Sequence, residues 1–370
     1  MEHCLDFWPH FKEIDLFCFP DVGHSGLQLF LAEQGKAVWG SRTGDIFEQN
    51  REHFMRTLAK CGLKVPPHKV YRGLEELSHN LRDAKDKYIK VSRWRGDCET
   101  RHWRSWKEDS GWLDWLAVQL GPFKNIMRFL VFDKIDTGTE LGGDTINVDG
   151  QWPSLMLNGF EYKDNTYFAA VTPRDDMPEQ IQDILDAFGP LLGEHHYRNQ
   201  WSMEVREGNF IDATCRGGMP STATQMKVWK NWPQMVWAGA NGELVEPEPG
   251  YKFAIECMVK SKEDAGQWDE ALISPELEPH LMLSSCCFVD EMYHFPPEDT
   301  RSGDLGWLCA AGDTPRETLD RAKKLCDLLP DGLDGNVEAM ANLLKEIETA
   351  QEQGIDFTHQ ELPEPAEAIE

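Results

Sequence analysis

Phe129-Leu130-Val131-Phe132-Asp133-Lys134-Ile135-Asp136-Thr137-Gly138-Thr139-Glu140 is the stretch on which the reading of this chain turns. Four apolar residues in succession read as a buried strand, and the polar run behind them, closing in Gly-x-Glu, reads as a turn that ends on a carboxylate. A buried strand edge can pair its amide and carbonyl with adenine, and a carboxylate a few residues later can hold two ribose hydroxyls.

Two further patches belong with it. Upstream, Lys87-Tyr88-Ile89-Lys90-Val91-Ser92 reads as a strand running into the loop Arg93-Trp94-Arg95-Gly96-Asp97. An ammonium beside a donor-rich turn suits phosphate oxygens. Downstream, Met203-Glu204-Val205-Arg206 and Ile211-Asp212-Ala213-Thr214-Cys215-Arg216 read as two arms of a hairpin across Glu207-Gly208-Asn209. Alternate side chains share a face, so Asp212, Thr214 and Arg216 point into one cleft with Glu204 on the neighbouring arm. Carboxylates converging in this way are what magnesium takes beside nucleotide phosphates.

Around these patches strand and helix alternate, which predicts an α/β and α+β chain. Ile14 to Phe19 reads as a strand, Gly23-His24-Ser25-Gly26 as a turn, Leu27 to Glu33 as a helix and Lys36 to Trp39 as a strand. That glycine turn could cradle a phosphate, but it lacks the full dinucleotide fingerprint and reads equally as a connection. One helix is expected from Asp45 to Gly62, where Pro66 and Pro67 forbid its continuation. Trp112, Trp115, Leu116 and Leu120 recur at helical spacing. Tyr167 to Val171, Phe253 to Val259 and Leu281 to Phe288 read as strands, and Leu141 to Gly150 as a loop. Thr314-Pro315-Arg316-Glu317 is a capping box that opens a helix, and a last helix is expected from Asn336 to Gln353. Five tryptophans, Trp94, Trp103, Trp106, Trp112 and Trp115, crowd one segment with Arg95, Arg101 and Arg104, either as a substrate lid or as the packing of a helix on a sheet.

Composition narrows the function. A chain of 370 residues with 41% hydrophobic residues and 14 tryptophans can bury a large core in two or three subdomains. Against 37 Lys plus Arg stand 64 Asp plus Glu, and a net charge of -27 repels nucleic acid and anionic membranes, so neither is an expected partner. Ten dispersed cysteines and no signal-peptide pattern at Met1 predict a reduced, cytoplasmic setting.

The order of lysine strand, Gly-x-Glu hinge and carboxylate hairpin resembles the ATP-grasp superfamily, and most of all its phosphoribosylamine-glycine ligase branch, over about Val38 to Phe357. The resemblance implies an ATP-grasp fold. It divides the chain into an N-terminal α/β pre-ATP-grasp domain (1-68), a two-part nucleotide-binding core (69-246), a C-terminal strand and helix subdomain (247-357) and an acidic tail (358-370). It also implies ATP and Mg2+ as cofactors, and small-molecule carboxylate and amine substrates. Lys90, Ser92 and Gly96 are then expected at the phosphates, and Arg56 where the family has another phosphate-binding lysine. Asp133, Lys134 and Asp136 border adenine and Glu140 holds ribose. Glu204, Asp212 and Thr214 face the metal, Arg216 steadies the acyl phosphate, and Arg198 joins Lys90 and Arg216 among the catalytic cations. Asp212 and Thr214 stand where the family has Glu and Asn, which bears on a second magnesium. The expected reaction is therefore carbon-nitrogen ligation through an acyl phosphate. Its rivals are a nucleotide-binding module that has lost turnover and a kinase of the same fold. Oligomeric state is left open, a homodimer being compatible with everything above.

Taken singly each feature is ordinary: a strand lysine is usually a solvated charge, and a Gly-x-Glu turn is usually only a turn. His195-His196 and Cys286-Cys287 have no spaced partners, which leaves them surface or filling residues rather than a metal site. Cys98 and Cys215 stand near the expected site without a histidine base beside them in sequence.

Overall fold

In the computed structural model, residues 4–92, 100–135, 140–162, 166–262, 266–297, 305–335 and 347 are described, with backbone only at 140 and 162. The chain opens with β1 (Leu16–Cys18), α1 (Ser25–Glu33) and β2 (Ala37–Trp39), the two strands parallel as a βαβ connection requires. The single helix expected from Asp45 to Gly62 is instead two, α2 (Ile46–Gln49) and α3 (Arg51–Lys60). Asn50 breaks them: it leaves helical geometry at φ -113° and ψ 84°, and its side chain accepts from the His53 amide as an N-cap.

A four-stranded antiparallel sheet follows, built from β3 (His68–Arg72), β4 (Lys87–Val91), β5 (Thr100–Trp103) and β6 (Arg128–Asp133) in the order β3-β6-β4-β5. Helices α4 (Leu74–Leu81) and α5 (Trp106–Leu120) cover one face, burying Leu77, Leu81, Leu113 and Leu116 against Ile89, Trp103, Phe129 and Val131. Trp103 is fully buried and donates to the Ala84 carbonyl at 3.2 Å, so in this part of the tryptophan-rich segment the aromatic bulk packs a helix on a sheet.

The remaining strands form a nine-stranded sheet. Its members are β7 (Glu140–Val148), β8 (Leu155–Tyr162), β9 (Thr166–Pro173), β10 (Arg198–Arg206), β11 (Asn209–Thr214), β12 (Phe253–Ser261), then β14 (Leu281–Leu283), β17 (Gly306–Gly312) and β18 (Leu333–Asp334). The order is β11-β10-β7-β8-β9-β12-β17-β14 with β18 on β12, so one sheet runs across residue 247. Between them β13 (Asp269–Ala271), β15 (Cys287–Val289) and β16 (Met292–Phe295) make a separate small sheet, which divides the strand expected from Leu281 to Phe288. One face of the large sheet buries Trp201, Met203 and Phe210 against Phe54 of α3 and Ile181 and Phe188 of α6 (Glu179–Glu194). The other face carries Ile146, Leu157 and Ala169 under Val228 of α7 (Thr222–Val228) and Met235 of α8 (Trp232–Ala240). Helix α9 (Pro315–Cys326) begins at Thr314, whose hydroxyl accepts from the Glu317 amide at 3.1 Å. The helix expected from Asn336 lies outside the described residues except for Ile347.

The segment read as a loop from Leu141 to Gly150 is corrected to strand β7 over most of its length. Its glycines are close-approach positions rather than turn positions. A Cβ on Gly143 would stand 2.7 Å from Met203 Cε, and one on Gly142 3.3 Å from the Gly159 carbonyl oxygen.

On β8, Gly159 lets the Tyr167 ring cross the sheet to Asp144; a Cβ there would lie 2.4 Å from the Tyr167 hydroxyl. Gly159→Ala is therefore expected to displace Tyr167, take the phenol donor away from Asp144 and cost about 2–4 kcal/mol in urea unfolding. An unchanged unfolding midpoint would contradict that packing.

Candidate functional site

Between the two large sheets lies a cavity of about 650 Å³. One wall is apolar: Tyr88 and Phe132 are register partners on β4 and β6, and Pro66, Ile135 and Leu141 extend it. The other wall is polar because β10 and β11 present alternate residues to it, Ser202, Glu204 and Arg206 from one and Asp212 and Thr214 from the other, with Arg216 just beyond the strand end. Glu204 and Asp212 face each other across the hairpin at a β-bulge, which re-aims side chains at that point.

Asp212 is the electrostatic centre. Lys90 Nζ donates to its Oδ2 at 2.6 Å, and Arg51 pairs with Oδ1. Burial pushes the Asp212 carboxyl up, but the charges of Arg51 and Lys90 more than offset this and hold it well below the usual carboxylate range.

Of the residues expected at the site, Lys90, Asp133, Glu204, Asp212, Thr214 and Arg216 line this one cavity. Asp133 also accepts from Lys87 Nζ at 2.6 Å. Lys134 is exposed and outside the wall, and Ser92 is buried behind it with its amide donated to the Arg128 carbonyl. Gly96 and Asp136 lie outside the described residues, and Glu140 is placed only by its backbone, opposite Arg206.

Two expected cations stand elsewhere. Arg198 sits at the far end of β10, where its guanidinium forks onto Asp149 at 2.7–3.0 Å and donates to the Ala240 carbonyl. It ties the turn after β7 to the end of α8, outside the wall of this cavity. Arg56 is 63% exposed beside Glu52, outside the cavity wall. The guanidinium that α3 delivers to the cavity belongs to Arg51; five residues along a helix turn the side chain by about 140°.

Sequence reasoning also passed over Glu48, Asp144, Tyr167 and Glu256. Asp144 is 2% exposed in the cavity wall and accepts from the Tyr167 hydroxyl at 2.5 Å. Burial pushes its carboxyl up, opposed by the hydroxyls of Tyr167, Ser202 and Ser221. Glu256, register partner of Tyr167, accepts from the Ser221 and Thr224 amides and the Thr224 hydroxyl, so it pins the start of α7 behind the wall residues Gly218 to Pro220. Burial pushes Glu256 up to about 7. Cys215 is buried, and burial raises its thiol well above the ordinary range, which removes it as a nucleophile.

As to magnesium, no group of three or more His, Cys, Asp or Glu gathers among the described residues. Glu204 and Asp212 supply paired oxygen donors, which suits an ion that draws its remaining ligands from phosphates and water.

The cleft between two antiparallel sheets, with an apolar wall on β4 and the interior strand β6 facing the β10–β11 hairpin, belongs to an ATP-grasp fold, and the chain has that fold. Over 90% of its length it is similar to phosphoribosylamine-glycine ligase from Thermotoga maritima, with TM-score 0.68 and 18% identity over 88% of that chain. It is likewise similar to the biotin carboxylase domain dimer of 2-oxoglutarate carboxylase from Hydrogenobacter thermophilus, seen with MgADP, ADP and bicarbonate (TM-score 0.64, 13% identity, 94% of this chain and 81% of that one). L-amino acid ligase from Bacillus licheniformis matches with TM-score 0.56 and 17% identity, over 77% and 73% of the two chains. No protein-family model and no curated protein matches the sequence. No helix among the described residues is long and apolar enough to cross a membrane.

Proposed function

We propose that the chain binds MgATP in this cavity and joins a small-molecule carboxylate to an amine through an acyl phosphate. The observation that carries the reading is the convergence of Lys90 and Arg51 on Asp212 with Glu204 opposite. Two cations share a carboxylate in a cleft beside an apolar wall of Tyr88, Phe132 and Leu141. Nucleotide phosphates would take over Lys90 and Arg51, and Asp212 and Glu204 would then be released to hold magnesium. Bound there, the ion supplies Lewis-acid polarisation of the phosphates and fixes their geometry.

In this reading a carboxylate oxygen attacks the γ-phosphorus as the bond to ADP breaks, with Lys90 and Arg51 spreading the charge. The amine then forms the carbon-nitrogen bond as phosphate leaves the acyl carbon, with Arg216 beside it. ADP release by wild-type protein with pooled amino acids as carboxylates and amines tests this. Release that rises only when both partners are present is expected, and no stimulation by any pair would contradict it.

A second reading is a nucleotide-binding module without turnover. It is favoured by the full engagement of Asp212 with two cations and by Thr214 at a ligand position. Under it MgATP binds and no pair stimulates release. The division at residues 68, 246 and 357, a cytoplasmic setting and a homodimer are carried with the proposal. Limited proteolysis and sedimentation would test the first and last.

A further inference from the structure

We infer that Glu48 is a positioning residue that aims Arg216 at the acyl phosphate, an inference that rests on the ligase reading. Glu48 lies on α2, far from β11 in sequence, and is 2% exposed. One carboxylate oxygen accepts from the Cys215 amide at 2.6 Å, and the other accepts from Arg216 Nε at 3.1 Å. Strand β11 ends at Thr214, so the buried Cys215 amide has its partner in Glu48 rather than in a neighbouring strand. On its other side, Arg216 Nη1 donates to the Gly217 carbonyl at 3.1 Å, and Asp21 Oδ1 stands 3.2 Å from Nε.

A guanidinium gripped at Nε and Nη1 cannot swing about its last torsions. It is held against the cavity wall before any ligand arrives, and the ordering of a long side chain is met in folding rather than in the reaction. Charge is part of the grip. Glu48 and Arg216 are a largely desolvated pair, and a neutral replacement would take the buried carboxylate away from Nε, where the exposed Asp21 carboxylate also stands. Helix α2 thereby reaches the cavity wall at Arg216 through Glu48, as α3 and β4 reach it through Arg51 and Lys90.

Glu48→Gln keeps the volume and an acceptor for the Cys215 amide but removes the charge. Two measurements on the full chain test it. First, the Arg216 Nε–H signal in 1H–15N spectra, identified by its loss in Arg216→Lys, is expected to exchange with solvent at least tenfold faster in Glu48→Gln. Second, ATP formation from MgADP with acetyl phosphate as probe reads the role. The acetyl oxygen-phosphorus bond breaks as an ADP β-phosphate oxygen bonds to phosphorus, and acetate leaves. A fall in kcat of tenfold or more is expected, with Glu48→Gln/Arg216→Ala no slower than Arg216→Ala alone and Glu48→Asp partly restored. Unchanged Nε–H exchange, or wild-type ATP formation by Glu48→Gln, overturns the inference. A wild type that binds no MgADP and forms no ATP overturns the ligase reading and with it the role of the pair, and the exchange measurement separates that outcome from a failed grip.

Discussion

Asp212→Ala is expected to abolish ADP release and to make nucleotide affinity indifferent to magnesium. The substitution takes away a metal donor and in the same stroke strands Arg51 and Lys90, which are 4% and 14% exposed, without their shared anion. Removing one partner of a buried ion pair costs about 3–5 kcal/mol, so the free protein should unfold at clearly lower urea. ATP phosphates can then satisfy the two cations, and the nucleotide should restore part of that loss. The pH dependence follows from the depressed carboxyl. The contribution of Asp212 is full above the ordinary carboxylate pKa and is lost as pH falls through its lower folded value, so it is constant across neutral pH. Urea unfolding with and without ATP checks the stability terms, and ADP release together with ATP titrations with and without magnesium checks the first two expectations. A variant as stable as wild type would remove Asp212 from the centre of the site.

Glu256 works in the opposite direction. Burial raises it from 4.5 to about 7, so between those values the folded chain binds more protons than the unfolded chain, and stability falls as pH rises through that window. A shift of this size corresponds to roughly 3 kcal/mol. Wild-type protein should lose that amount between pH 4.5 and pH 8 relative to Glu256→Gln, which cannot ionise and keeps an acceptor for the Ser221 and Thr224 amides. Parallel slopes of unfolding free energy against pH in the two proteins would show that Glu256 is not the group responsible. Behind Gly218, Met219 and Pro220 this carboxyl also sets the back of the cavity, so the same titration should appear in any ligand affinity that depends on that wall.

What sequence could and could not supply follows physical lines. Strands β4 and β6 and the β10–β11 hairpin were legible because period-two patterning and the Glu207-Gly208 turn are local signals. So was the capping box at Thr314. The two helices around Asn50 were not separated, since an asparagine inside a helical pattern is ambiguous until its side chain is seen on the His53 amide. Arg56 was expected from the resemblance, and the structure sets Arg51 rather than Arg56 in the cavity wall, because approximate position in a sequence does not tell one helix face from another. Strand β7 was taken for a loop because its glycines signal turns in isolation. Their reason is the approach of Met203 and of Gly159 across neighbouring strands, which are long-range facts. Asp144 went unseen for the same reason, and Glu256 because a carboxylate within an apolar run looks like a solvated edge until its three donors are in place. Arg198 begins β10, whereas the cavity lies at the end of that strand that carries Ser202 to Arg206, a separation along one strand that sequence alone does not show.

The most direct measurement is a calorimetric titration of MgATP into wild-type protein, Arg51→Ala and Arg56→Ala. Binding to the wild type that weakens tenfold or more in Arg51→Ala, about 1.4 kcal/mol or above, and changes less than twofold in Arg56→Ala is the expected result. No binding to the wild type, or equal binding by Arg51→Ala, would contradict a nucleotide site built on Arg51, Lys90 and Asp212.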